Sequence, residues 1–364
     1  MPIGITNRIA PTPHHRTTVR PVTVRVGFLG AGLIATYHSK SLHVSDADVR
    51  WAGVFDPDPE RAEDFARASG STVCETEEQV LDGCDAIYVC TWTAEHPRLV
   101  AAAVERGLPV FCEKPLAINL EAVRAMADMV ERAGVVNQVG LVLRHSPAFG
   151  LLRAIAADPS SGRPMSVVFR DDQFIPVQGT YRSTWRGDVT KAGAGTLLEH
   201  SIHDLDMLEH VLGPVAEVSA RTAGFHDIPG IEDVATLALR FESGAIGTLT
   251  SIWHDVLERP SLRRVELFCE RTYAVLEGDW FGPVQSTTTG SAPATFEHAD
   301  LIAEAERRGA TLGNPDELFI SAVEKGESAW PSFADALRAH VLADAAYRSA
   351  ANGGVPVATP KSPS

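Results

Sequence analysis

The stretch that decides the fold is Val22–Ala35, V-T-V-R-V-G-F-L-G-A-G-L-I-A. A β-branched apolar run stops on Gly30, and a helical pattern then runs to Ser41. Between them lies a G-x-G-x-x-A turn, in which Gly30 and Gly32 let the backbone approach a pyrophosphate. The first helical residues, Leu33 and Ile34, would present unpaired N–H groups and a partial positive charge to it. Alone, such a turn is also compatible with glycines that serve only helix packing.

Working outward, VRWAGVFD (49–56) reads as a second strand and PERAEDFARASG as a helix closed by Gly70. DAIYVCT (85–91) is a third strand, followed by a helix over 97–107 and a strand over 109–113. A helix capped by Asn119 and a strand over 135–143 complete the series. Strand and helix alternating at this pace predict right-handed βαβ units and a doubly wound parallel sheet. This α/β Rossmann domain is placed at 22–147, after a tail at 1–21 expected to be disordered. Asp56 ends the second strand 26 residues after Gly30. A carboxylate there can accept both ribose hydroxyls of an adenosine and would repel a 2′-phosphate, which favours NAD over NADP.

After Pro147 the rhythm changes. One long helix is expected over 195–212, then strands at 215–226, 233–241, 244–254, 263–270 and 272–277. Residues 281–300, rich in Thr, Gly, Ser and Pro, read as a surface loop, and helices at 315–326 and 332–351 close the chain. This predicts an α+β domain at 148–352 with an open, largely antiparallel sheet, and a tail at 353–364.

The 364 residues carry 32 Lys+Arg against 47 Asp+Glu, a net charge of -15. So acidic a chain without a basic patch argues against nucleic acid or a membrane surface as partner. No apolar run approaches the roughly 20 residues of a bilayer span, and a cytoplasmic location is expected. The five cysteines contain no C-x-x-C pair and read as reduced thiols.

Three further segments resemble the glucose-fructose oxidoreductase/inositol dehydrogenase (Gfo/Idh/MocA) family. Thr91–His96 stands where that family has Thr-Pro and then Asn or His, with Trp92 in place of Pro. Glu113-Lys114-Pro115 matches its E-K-P motif. Ala192–Asp206, AGAGTLLEHSIHDLD, is similar to its glycine-rich entry to a D-x-G-x-H-x-x-D helix, with Glu199 for Asp and Ser201 for Gly. The resemblance implies Lys114 beside nicotinamide and substrate oxygen, His203 as acid/base, and Glu199 binding or orienting. It further puts Thr91, Trp92 and Glu113 on the cofactor side.

The residues themselves are suited to moving a hydride to or from a secondary alcohol, which needs a proton acceptor and a cation for the developing alkoxide. On a continuous helix Glu199, His203, Asp206 and His210 would share an arc of roughly 60°. That stripe fits either a cleft or a buried network in which His203 bonds Asp206. His96 is expected at cofactor or substrate, or as a helix cap. Arg144 ends the last Rossmann strand, where open α/β sheets bind ligands. Trp185, Arg186 and Lys191 have the aromatic and polar character to hold a sugar. Metal is disfavoured: no H-E-x-x-H or cysteine cluster accompanies Glu199 and His203.

The expected function is NAD-dependent oxidation or reduction of a sugar, cyclitol or sugar-derived metabolite. An NAD-assisted lyase or glycosidase and a catalytically silent dinucleotide sensor compete with it. The open sheet is expected to make a homodimer or homotetramer.

Overall fold

The computed structural model describes residues 23–179 and 181–360. The expected tail at 1–21, Val22 and residues 361–364 lie outside them. The first half runs β1 (Val24–Leu29), α1 (Leu33–His43), β2 (Val49–Phe55), α2 (Pro59–Ser69), α3 (Glu77–Gly83) and β3 (Ala86–Val89). It continues with α4 (His96–Val104), β4 (Val110–Cys112), α5 (Leu120–Ala133) and β5 (Asn137–Val139). The strands form a five-stranded sheet in the order β2-β1-β3-β4-β5, every pair parallel. The strand order reverses between β1 and β3, so a crevice opens at their carboxyl ends. The local signals act as expected. Asn119 Oδ1 accepts the Ala122 amide, and Gly70 closes α2 with φ 78°.

The second half begins with α6 (Pro147–Ala157), β6 (Pro164–Phe174), α7 (Val189–Ala192), α8 (Thr196–Glu199) and α9 (Ile202–Leu212). Then come β7 (Val215–Ala223), β8 (Val234–Phe241), β9 (Ile246–His254), β10 (Leu262–Cys269), β11 (Thr272–Asp279), β12 (Gly282–Thr288) and β13 (Ala294–Phe296). The chain ends with α10 (His298–Arg307), α11 (Pro315–Lys325), α12 (Phe333–Ala351) and β14 (Val357–Ala358). The nine-stranded sheet has the order β13-β12-β11-β10-β6-β9-β8-β7-β14, antiparallel except between β6 and β9. Its strands alternate buried and exposed residues, and α6, α8, α9, α10 and α12 pack against the buried face or against one another.

Four expectations change. Residues 281–300 are not a loop: they supply β12, β13 and the start of α10, with Val284 and Leu301 in the core. The expected tail from 353 contains β14, paired antiparallel to β7. The helix over 195–212 is broken at His200 and Ser201, because the Thr196 and Ser201 hydroxyls both bond Ser251 Oγ on β9, at 2.7 and 2.6 Å. Finally, the closing helices are not confined to the second layer. Phe319 and Ile320 of α11 pack with Val26 and Phe28 of β1, and α12 contributes Phe333 to the first core and Leu342 to the second.

Candidate active site

The glycine turn joins β1 to α1 at the crevice. Gly30 has φ +91°, and a Cβ there would lie 2.6 Å from the Cys90 carbonyl oxygen, so only glycine fits against the end of β3. Gly32 precedes α1 with open space beside it, and no side chain caps the helix. Leu33 and Ile34 are exposed there. The first-turn amides are therefore free to meet an anion. Asp56 stands at the mouth of the turn. Its Oδ2 accepts the Ala31 amide at 2.8 Å and its Oδ1 the Asp58 amide at 2.9 Å, which fixes the carboxylate while leaving lone pairs for two hydroxyls. A bare cradle and a fixed carboxylate fit a dinucleotide.

Lys114 follows β4 and crosses to the other layer, where its Nζ donates to the Glu199 carbonyl oxygen at 2.9 Å. Burial lowers its pKa, the Glu113 carboxylate works against this, and the Arg186 guanidinium adds to the lowering. His203, in the first turn of α9, is half-buried. Its Nδ1 is buried without a partner among the described residues. Burial holds its pKa well below the ordinary histidine value, with Lys114 the next contributor, which favours the neutral ring. It makes no hydrogen bond to Asp206, which instead takes a bidentate contact from Arg144.

Glu199 is buried at the end of α8. Thr93 Oγ1 donates to its Oε1 at 2.7 Å, and Arg186 Nε to its Oε2 at 3.1 Å. Its backbone is set by Glu232, whose carboxylate accepts the amides of Gly195 (2.7 Å) and Leu197 (3.0 Å). Trp185 stacks with Arg186 at 4.4 Å, and Lys191 lies 5.3 Å above the Trp92 ring, so α7 meets the loop after β3.

Three expected ligand residues are engaged inside the protein. His96 is buried, with Nδ1 2.8 Å from the Pro115 carbonyl and Nε2 3.2 Å from that of Thr91, so both ring nitrogens are engaged in fastening the two loops together. Glu113 is buried too, bonded to the Lys114 amide and to His38. Arg144 is held by Asp206, with Trp330 at 5.2 Å. Thr91 lies at the glycine turn, its amide 3.0 Å from where a Gly30 Cβ would stand.

A buried charged group that the sequence motifs do not reveal lies near Lys114 and His203. Arg263 of β10, nearly inaccessible, reaches Asp204 (2.8 Å), Asp171 (3.1 Å) and Asp279 (3.0 Å). His200 Nε2 lies 2.8 Å from Asp171 Oδ2. Burial, reinforced by Asp171, pushes Asp204 up to about 7, while burial and then Arg263 push His200 down to about 3. The one local signal for this group was charge inside otherwise alternating strands, at Asp171 and Arg263.

Residues 24–141 match the family described as an oxidoreductase family with an NAD-binding Rossmann fold, and residues 149–275 match the GFO/IDH/MocA C-terminal domain. The chain belongs to the GFO/IDH/MocA oxidoreductase family. It is 30% identical over 340 residues to an inositol 2-dehydrogenase of Rhizobium meliloti (strain 1021), covering 91% of this chain and 98% of that protein. It is also 32% identical over 235 residues to a scyllo-inositol 2-dehydrogenase (NAD(+)) of Bacillus subtilis (strain 168), covering 62% and 66% of the two chains. Among solved structures, levoglucosan dehydrogenase in complex with NADH and levoglucosan superposes with a TM-score of 0.81 at 23% identity, covering 93% of this chain and all of that one. That likeness shows the shared fold. The protein is thus an NAD-binding oxidoreductase of the GFO/IDH/MocA family. No helix among its described residues is long and apolar enough to cross a membrane.

Proposed function

We propose that the protein interconverts a secondary alcohol and a ketone on a cyclitol or sugar with NAD(H), Lys114 and His203 managing the proton. The observation that carries this reading is the 2.9 Å contact of Lys114 Nζ with the Glu199 carbonyl, which brings an ammonium from the dinucleotide layer to the helix break before His203.

The turn from Gly30 to Ile34 would hold the pyrophosphate and Asp56 the adenosine ribose. When bound, the nicotinamide takes up or returns the hydride. Neutral His203 is fit to accept the hydroxyl proton in oxidation and to return it in reduction. Lys114, charged and partly desolvated, stabilises the oxyanion that develops as the proton leaves. Glu199 acts by holding Thr93 and Arg186, which aligns the two layers around the reacting carbon. Trp185 and Trp92 offer flat apolar faces for a ring, with Arg186 and Lys191 beside them for its hydroxyls.

The relatives named above support the cyclitol side of this reading, since this chain spans nearly the whole length of the first of them. The reading includes a cytoplasmic homodimer or homotetramer built on the open sheet, whose outer face exposes Val168, Ile246 and Phe268. The test is turnover of a panel of inositols and sugars with NAD. NADH formed in step with ketone, and lost on Lys114→Ala, is the expected result. Product without net NADH, or full activity in Lys114→Ala, overturns the reading.

A further inference from the structure

His38 lies on the buried face of α1, and no step of the proposed reaction uses it. Its Nδ1 is 2.8 Å from Asp316 Oδ1 in the first turn of α11, and its Nε2 is 3.0 Å from Glu113 Oε1 after β4. The ring thus ties together the helix that follows the glycine turn, the segment that bears Lys114, and a helix 278 residues away in sequence. A neutral imidazole has one donor and one acceptor nitrogen, so two carboxylates can be satisfied at once only by the imidazolium. Burial alone would strip that proton. Asp316 and Glu113 outweigh it and raise the pKa to about 10. Around the ring stand Phe111 at 4.8 Å and Tyr37 and Tyr88 at 5.7 Å; the Tyr88 hydroxyl is buried without a partner among the described residues.

Glu113 is held from three sides. Its Oε1 meets His38, its Oε2 accepts the Lys114 amide at 3.3 Å, and a Cβ on Gly140 would overlap its carboxylate. A lysine and a glutamate adjacent in a partly desolvated site attract strongly when nothing else balances them. Yet Lys114 Nζ is bonded across the cleft to Glu199 and not to Glu113.

We propose that His38 is a positioning residue for Lys114: anchored by Asp316, its imidazolium occupies the Glu113 carboxylate, and the Lys114 ammonium is left to reach across the cleft to Glu199 and the reacting oxygen. The proposal rests on the reading of Lys114 given above. Without the charge on His38, Glu113 would draw Lys114 back and hold its proton more tightly.

Two readouts on the full chain test this: kcat against KM for NAD, and the pH midpoint for acylation of Lys114 by an amine reagent, followed by peptide mass. In His38→Gln, kcat falls roughly tenfold with KM little changed, and the midpoint rises by about one unit. Adding Glu113→Gln brings the midpoint back down. Should His38→Gln fail to fold, the double variant His38→Gln/Asp316→Asn replaces the buried ion pair by a neutral hydrogen-bonded pair, and the same rise is expected. A folded variant with an unmoved or lowered midpoint overturns the proposal. The midpoint needs no substrate, so failure of the dehydrogenase reading, seen as full activity in Lys114→Ala, is a separate outcome.

Discussion

Thr93 and Glu199 are joined across the cleft by a 2.7 Å hydrogen bond between a hydroxyl on the loop after β3 and a carboxylate at the end of α8. The other carboxylate oxygen takes Arg186 Nε at 3.1 Å, so one buried side chain fastens two loops at once. That double hold uses the full length of glutamate. Glu199→Asp, one methylene shorter, cannot keep both partners. Loss of a buried hydrogen bond to a charged group is worth about 1.5–3 kcal/mol, and kcat/KM should fall by about tenfold to a hundredfold. NADH affinity should stay near wild type, because the glycine turn is untouched. Steady-state kinetics beside a fluorescence titration with NADH check both halves, and wild-type kcat/KM in the aspartate variant would count against the clamp.

In the proposed reading Asp56 is the residue that selects the dinucleotide. Its carboxylate is fixed by the amides of Ala31 and Asp58, so it cannot swing aside for a phosphate. Asp56→Ser removes both the acceptor for the ribose hydroxyls and the charge that repels a 2′-phosphate. The ratio of kcat/KM for NAD over NADP should drop by about tenfold or more, most of it through KM. An unchanged ratio would show that the preference is made elsewhere.

The parts legible in the sequence were those written in contiguous residues. Gly30, Gly32, Gly70 and Asn119 act through their own backbone or their immediate neighbours, and the first sheet followed from them. Where distant residues decide, local pattern fell short. In β6 the buried Asp171, Asp172 and Gln173 interrupt the apolar alternation that marks a strand, and their partners Arg263 and Arg259 lie some ninety residues on. Pro147, after which the strand–helix rhythm changes, is the first residue of α6, with Ser146 Oγ accepting the Ala148 amide. The break between α8 and α9 is made by Ser251, and the role of Glu113 by His38 and Asp316. Arg144 and His96 had the right chemistry, though Arg144 lies in a turn five residues past β5 and His96 opens α4. What the sequence could not convey was that Asp206 and two backbone carbonyls would already hold them.

Stability should peak near pH 6.5 and fall on either side, for opposite reasons. On the acid side, burial holds His145 and His340 down to about 4 and His210 to about 3. His340 shows why: its Nε2 accepts the Leu116 amide at 3.1 Å, an acceptor that protonation would destroy. The unfolded chain takes up protons at about 6.5 that the folded one refuses, so each such histidine removes stability as pH drops toward 4, by about 1.4 kcal/mol per pH unit. On the alkaline side His38 has the reverse sign. Its folded pKa, about 10, exceeds the unfolded value, so its contribution is full below pH 6.5 and is lost as pH rises through 10. Urea unfolding across pH 4–10 should trace both arms, and His38→Gln should flatten only the alkaline one.

Arg263 is the counter-charge on which the floor of the site depends. Two of its three carboxylate partners, Asp171 and Asp204, are fully buried, and the third, Asp279, is half exposed at the end of β11. Arg263→Met keeps volume but leaves Asp171 and Asp204 facing each other without a cation. Breaking a buried ion pair from one side typically costs about 3–5 kcal/mol. The same change removes a positive charge that helps depress the pKa of both Lys114 and His203, so both should become easier to protonate. Adding Asp171→Asn and Asp204→Asn to Arg263→Met removes the stranded charges and should restore most of the lost stability. It should not restore the pH profile, because the missing cation is still missing. Denaturant unfolding and the pH dependence of kcat/KM, measured on the single and triple variants, separate the two effects. Equal stability of wild type and Arg263→Met would show that the buried acids are neutral in the folded protein and that the arginine is not needed to hold them.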